Sequence, residues 1–282
     1  MDAFPRTNVG GISLSRMVVG TNWFLGFSHQ SAAKNDFLVN FQTSNKIADV
    51  LTVFLEAGVD TVLGPTHPLL IRAIEEAQQR AGRKLIVVLT PAFDLESGGP
   101  VEQQPEAVIS ECKRLGATIC MPHQMVTDSL LDRKTRSIRG IEKITSLIRQ
   151  YEMVPALSTH LPETIVFCDE NNYDVETYLQ IYNAAGFMMP LEVEWTHSII
   201  ADAHKPVTTI KPLAAGRLTP MIGLCFAWTT LRQQDLVTIG TTTPDEAKEV
   251  IELSLDYLNH RIPDTRLQIT RSKAIFEKMG KA

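Results

Sequence analysis

AGVDTVLGPTHPLLIRAIEEAQQRAG, residues 57–82, contains one complete structural unit. Gly58 closes a helix, and the run Val59–Gly64 is a short apolar strand. Pro65 and Pro68 break the pattern, and an amphipathic helix with apolar positions spaced by three and four then runs to Gly82. Glycine suits both helix ends because it enters the left-handed cap without a Cβ clash. The strand also carries a carboxylate, Asp60, and a histidine, His67, follows it.

The same unit recurs on both sides. Strands are expected at 16–20, 59–64, 85–91, 117–123, 155–160, 176–183, 207–213 and 236–242. Helical patterns such as KIADVLTVFLEAG, IRGIEKITSLIRQY and PDEAKEVIELSLDYL lie between them. Eight strand–helix units with near-continuous apolar strands point to a parallel sheet covered by helices and closed on itself. The expected fold is an α/β protein of the (β/α)8 TIM-barrel type, one domain spanning residues 1–282. An open doubly wound sheet is the alternative, but no G-x-G-x-x-G follows the first strand. The connection over about 21–44 holds Trp23, Phe24, Phe27, Phe37 and Phe41 and is too apolar for a solvated loop, so it is expected to fold over the mouth as a lid. The last residues, RSKAIFEKMGKA, read as an extra terminal helix.

Composition narrows the function. The 282 residues are 44% hydrophobic and 21% charged, with a formal net charge of −5. That charge offers no basic field for a nucleic-acid backbone, and no apolar run is long enough to span a bilayer. Four cysteines without a C-x-x-C pair suit a reducing, cytoplasmic setting. The expected partner is a small-molecule substrate, with a homo-oligomer as the candidate assembly.

In a barrel of this type chemistry belongs at the C-terminal strand ends. The polar residues expected there are Asn22 with Trp23 beside it, Asp60, His67, Thr90, His123, Ser158, His160, Gln180, Asn183 and Lys211.

GTNW (20–23), GVDT (58–61), MPH (121–123), STH (158–160), YNAA (182–185), IKPLAAGRLTP (210–220) and IGTTTPDEAKEV (239–250) follow one another in an order and spacing that resembles the aldo/keto reductases. The likeness covers nearly the whole chain, and the KPLAAG turn and YNAA are its more specific parts. It implies a barrel that reduces carbonyls with NADPH, using an Asp, Tyr, Lys and His at the mouth. Asp60 and His123 match the acid and the histidine. Pro65 and Pro91 stand where the tyrosine and lysine would be, so the proton donor of that reaction is missing. If NADPH binds, Ser158, Gly240 and Thr241 are its candidate contacts. Against it, Asp245 and Glu246 already place negative charge at the helix start that would receive a phosphate.

Several functional readings follow. In the first, His123 is an acid/base oriented by Asp60, with Asn22, Trp23, His67, His160, Asn183 and Lys211 contacting a small polar carbonyl or sugar-like metabolite in lyase or isomerase chemistry. In the second, the chain remains an NADPH-dependent oxidoreductase with another proton donor. In the third, the barrel is catalytically silent and binds a metabolite or a partner. A divalent metal held by His67, His123, His160 and Glu194 is a further candidate, because imidazoles with a carboxylate suit zinc and, with more oxygen ligands, manganese or iron.

Overall fold

The computed structural model describes residues 4–93 and 104–264, so the terminal helix expected at 271–282 lies outside the described residues. The chain enters through a hairpin that sequence reading did not anticipate, β1 (Arg6–Val9) paired antiparallel with β2 (Ile12–Ser15). Barrel strands follow as β3 (Met17–Gly20), β4 (Thr61–Gly64), β5 (Ile86–Leu89) and β6 (Ile119–Cys120). A second hairpin, β7 (Leu131–Asp132) with β8 (Ser137–Ile138), interrupts them. The ring resumes with β9 (Val154–Pro155), β10 (Leu157–Ser158), β11 (Tyr178–Ile181), β12 (Val207–Ile210) and β13 (Leu236–Ile239).

Every ring pairing is parallel, in the order β10-β11-β12-β13-β3-β4-β5-β6-β9. β9 and β10 are two halves of one strand, parted only by Ala156. The Ala156 N–H donates to the Cys120 carbonyl at 3.1 Å and the Leu157 N–H donates to that of Thr177 at 3.2 Å. The strand thus changes partner at residue 156, and the eight-stranded barrel closes there. All eight expected strands are present.

The helices are α1 (Ala32–Phe41), α2 (Ser44–Glu56), α3 (Pro68–Ala81), α4 (Pro105–Arg114), α5 (Gln124–Leu130), α6 (Ile141–Gln150), α7 (Glu163–Glu170), α8 (Val193–Asp202), α9 (Pro220–Thr230) and α10 (Pro244–Leu258). α3 buries Leu70, Ala73, Ile74 and Ala77, as its spacing requires. Each large apolar side chain so buried contributes roughly 1.5–3 kcal/mol. Among the described residues no helix is long and apolar enough to cross a membrane.

Two apolar layers result. Val19, Val62 and Leu89 face outward to the helices, while Val18, Leu63, Val88, Ile119, Leu179 and Leu236 fill the barrel. Val9 and Leu14 of the entry hairpin join the inner layer and plug its N-terminal end. Asp60 lies at this same end, one residue before β4. Its carboxylate accepts the Ser15 N–H at 3.1 Å and pairs with Arg6 at 2.8 Å, and its own N–H donates to the Ser15 hydroxyl. The expectation that Asp60 stands at the mouth and orients His123 is therefore corrected: Asp60 fastens the plug to the opposite end of the barrel.

Asn22, Trp23 and residues 27–29 of the 21–44 connection line a cavity at the C-terminal strand ends, and the connection carries a 3-10 turn and a helix rather than a long loop. A 3-10 turn over Asn22–Leu25 precedes α1, whose N-terminus is capped by Ser31 accepting the Lys34 N–H. Its aromatic residues divide: Phe24 is buried, whereas Phe27 and Phe37 are about half exposed, at 53% and 52%.

Candidate active site

A cavity of about 900 Å3 opens at the C-terminal ends of the strands. It is lined by Asn22, Trp23, His67, His123, Ser158, His160, Lys211, Gly240 and Thr241, all expected from the sequence, and by His29, which was not.

Local backbone geometry positions each histidine. His67 caps α3, its Nδ1 accepting the Leu69 N–H at 3.2 Å, and His123 caps α5, its Nδ1 accepting the Met125 N–H at 3.3 Å. A ring nitrogen that accepts is unprotonated, so the remaining proton of each neutral ring is on Nε2. Burial, and then the Lys211 charge, hold His123 below the usual imidazole range. Both effects disfavour a second proton, as does the positive end of the helix it caps.

His160 follows β10 and is fixed from behind. Asp128 of α5 accepts the His160 N–H at 3.1 Å and the Thr159 hydroxyl at 2.5 Å. Burial, followed by the charges of Lys211, His123 and His29, depresses His160 to about 4. Asp128 was not singled out in the sequence, because an acid in mid-helix carries no local mark of a bond to residue 160.

Lys211 immediately follows β12 with a left-handed backbone, φ 61°, and Ala214 and Ala215 of the same turn are also left-handed. For residues with a Cβ such conformations cost on the order of 1–3 kcal/mol each and persist only where surrounding structure enforces them. Here the Ala214 N–H donates to the Lys211 carbonyl at 2.9 Å and the Leu218 N–H donates to that of Leu213 at 3.2 Å. Burial lowers the Lys211 amine to about 8. Its Nζ lies 3.2 Å from Nε2 of His29, which also has a positive φ, of 58°.

Two further expectations are corrected. Asn183 does not line the cavity: its side chain accepts the Phe187 N–H at 2.9 Å and donates to the Phe187 carbonyl at 3.1 Å, stitching the loop after β11. Glu194 sits in the first turn of α8, away from the cavity lining. Among the described residues no three His, Cys, Asp or Glu side chains converge as a metal ion requires. The imidazoles proposed as ligands rise from separate strand ends, and the Nδ1 atoms of His67 and His123 are already engaged as caps.

No protein-family model and no curated protein matches this chain. Solved structures do. A Pseudomonas aeruginosa protein assigned to the aldo-keto reductases superposes with a TM-score of 0.63 at 14% identity, over 90% of this chain and 96% of that one. An aldo/keto reductase from Brucella melitensis gives 0.59 at 12% identity, over 94% and 95%. The holo form of an aldo-keto reductase from Bacillus halodurans gives 0.56 at 14% identity, over 98% and 96%. The chain has the aldo-keto reductase fold.

That fold raises the question of a nicotinamide dinucleotide. Ser158, Gly240 and Thr241 do line the cavity, but Trp23 and two glutamines of the 21–44 connection reach the 211–217 turn and the 240–243 segment. A Cβ on Gly240 would stand 3.6 Å from Cδ1 of Trp23, and one on Gly216 would stand 4.0 Å from its Cη2, so the indole bridges the two turns. Gln30 Nε2 donates to the Ala215 carbonyl at 2.8 Å, and Gln42 Nε2 donates to that of Thr242 at 3.0 Å. At the start of α10 the Thr242 N–H donates to the Glu246 carboxylate at 2.6 Å, and the Glu246 N–H donates to the Thr243 hydroxyl at 3.2 Å. Amides that a phosphate would use are engaged, and Glu246 and Glu249 add negative charge on the same side. These residues do not fit a dinucleotide phosphate. Nor does any of the five tyrosines line the cavity to serve as a phenolic proton donor.

Proposed function

We propose that this barrel is an acid–base enzyme of lyase or isomerase type acting on a small polar carbonyl or sugar-like metabolite, with a catalytic set different from that of the carbonyl reductases whose fold it shares. The observation that carries this reading is the environment of Lys211: a desolvated amine at the cavity wall, electrostatically coupled to His29, His123 and His160. The carboxylates lining the cavity among the described residues, Glu246 and Glu249, belong to the α10 side. Cationic and N–H donor groups therefore gather on one wall, which suits a substrate that develops an oxyanion.

In this reading His123 donates from Nε2 to the substrate oxygen on which negative charge develops. A neutral imidazole near an enolate oxygen is an effective hydrogen-bond donor, since it need not lose a charge to give up its proton. Lys211 polarises the carbonyl, and His67 and His160 contact the polar end of the metabolite. Asp128 acts through His160 as a positioning residue. The fused turns and Trp23 form the apolar wall that excludes water and strengthens each of these interactions.

The test is α-proton exchange. Purified protein is incubated in deuterium oxide with small 2-oxo acids, aldoses and ketoses, and the loss of Cα–H signals is followed by proton NMR. Exchange that falls by about 10²-fold or more in His123→Ala is expected, the range for loss of a general acid–base group. Undiminished exchange in that variant would overturn the reading.

A further inference from the structure

Resting on the reading that the cavity takes a carbonyl metabolite, we propose that Lys211 is a covalent nucleophile: its amine forms an imine with the substrate, and His29 carries the proton that this step requires. The hydrogen bonds set the roles. Nδ1 of His29 lies 3.1 Å from the Phe27 carbonyl oxygen, which only accepts, so Nδ1 holds the proton and the Nε2 lone pair faces Lys211 Nζ at 3.2 Å. Among the described residues no carboxylate pairs with Lys211, and its nearest polar side-chain partner is the imidazole of His29. Leu179, Ile210 and Leu213 line the same cavity and keep its surroundings apolar. Among the described residues the other groups electrostatically coupled to this pair are His123, His160 and Arg217, all neutral or positive, while Glu246 and Glu249 of the cavity lining lie on the α10 side.

Backbone strain gives a second, independent observation. Lys211 and His29 come from segments 182 residues apart, yet both are held in left-handed conformations that a non-glycine residue avoids. The lid that delivers His29 is latched by Gln30 to Ala215, within the same turn that carries Lys211. Two strained residues from distant segments, brought together at a cavity wall, suit a reactive pair better than a packing contact. With the amine depressed to about 8, about a tenth of it is neutral at pH 7 without His29's help.

The step balances without an added reactant. Lys211 passes a proton to Nε2 of His29, and its lone pair attacks the carbonyl carbon. A C–N bond forms, and the C=O π pair moves to oxygen, which takes a proton from the amine nitrogen. The C–O bond of the carbinolamine then breaks, and the hydroxyl leaves as water with the proton returned by His29. The nitrogen lone pair closes the C=N bond. Ammonium plus carbonyl become protonated imine plus water, with no change in oxidation state. The iminium then withdraws electrons from the neighbouring carbon, whose proton passes to the regenerated Nε2 lone pair of His29.

Borohydride trapping tests this. The full chain is treated with sodium borohydride in the presence of pyruvate and, separately, of dihydroxyacetone, then read by intact mass and peptide mapping. One reduced adduct on Lys211 is expected with at least one probe. It should be absent in Lys211→Arg and Lys211→Met variants that keep the wild-type circular dichroism. Trapping should be about 10²-fold slower in His29→Gln. No adduct with either probe, an adduct spread over surface lysines, or an unchanged trapping rate in His29→Gln overturns the proposal. His123-dependent α-exchange without a Lys211 adduct removes the imine alone. A Lys211 adduct without such exchange removes the acid–base reading and keeps the imine.

Discussion

Nζ of Lys211 stands 3.2 Å from Nε2 of His29, and both residues adopt left-handed backbone. This contact joins the seventh strand of the barrel to the lid, and it carries a stability cost. The folded chain releases the Lys211 proton near pH 8, the unfolded chain near 10.5. Between those values the unfolded state binds more protons, so stability rises with pH across that window; below 8 the full penalty applies. Lys211→Met should therefore be more stable than wild type at pH 7 by on the order of 2 kcal/mol, after discounting for partial solvent exposure. Urea denaturation at pH 7 and at pH 10.5 checks this. The gain should vanish at the higher pH.

His160 has a dependence of the same sign in a more acidic window. Its imidazole is depressed from 6.5 to about 4, so its share of stability is complete above 6.5 and is lost as pH falls through 4. For a partly exposed ring this is on the order of 1 kcal/mol. His160→Gln should lose less stability than wild type between pH 7 and pH 4, read from the denaturation midpoint in each buffer.

Asp128 holds His160 by its backbone. Asp128→Ala leaves the His160 N–H without its acceptor, at a cost of about 1–3 kcal/mol. Thr159 retains bonds to Leu161 and Thr164, so the loss centres on residue 160. If Asp128 positions a substrate contact, Asp128→Ala should raise KM for an exchanging substrate more than it lowers kcat, and Asp128→Asn, which keeps an acceptor oxygen, should restore most of it. An equal stability loss with KM unchanged would mark the residue as structural only.

Asp60 separates the two ends of the barrel. Asp60→Ala removes the Ser15 and Arg6 contacts and should lower stability by about 1–2 kcal/mol. Exchange kinetics and borohydride trapping should be unchanged, because the change lies at the plugged end. A catalytic loss without a stability loss would restore Asp60 to the chemistry.

The start of α10 makes a prediction about nicotinamide cofactors. With the Thr242 N–H engaged by Glu246 and the neighbouring crevice bridged by Trp23, NADPH should show no saturable fluorescence change at millimolar concentration. Saturable binding that strengthens in Glu246→Gln would show that the carboxylate merely competes for an existing phosphate site.

Much of this architecture is written locally along the chain. A parallel strand buried on both faces must be apolar almost throughout, and its covering helix must be apolar on one face, so the repeat at 57–82 and its counterparts announce a barrel before any contact is known. His67, His123 and His160 were legible for the same reason: each follows an apolar run at the end where barrel chemistry gathers. Asp60 was misplaced because its position depends on where the strand begins. At about 3.3 Å per residue, the few residues between Asp60 and Gly64 separate one end of the barrel from the other. His29 and Asp128 left no local signal. Each matters through a partner distant in sequence, Lys211 and His160, and short-range periodicity cannot encode which groups closure of the ring and docking of the lid bring within hydrogen-bonding reach.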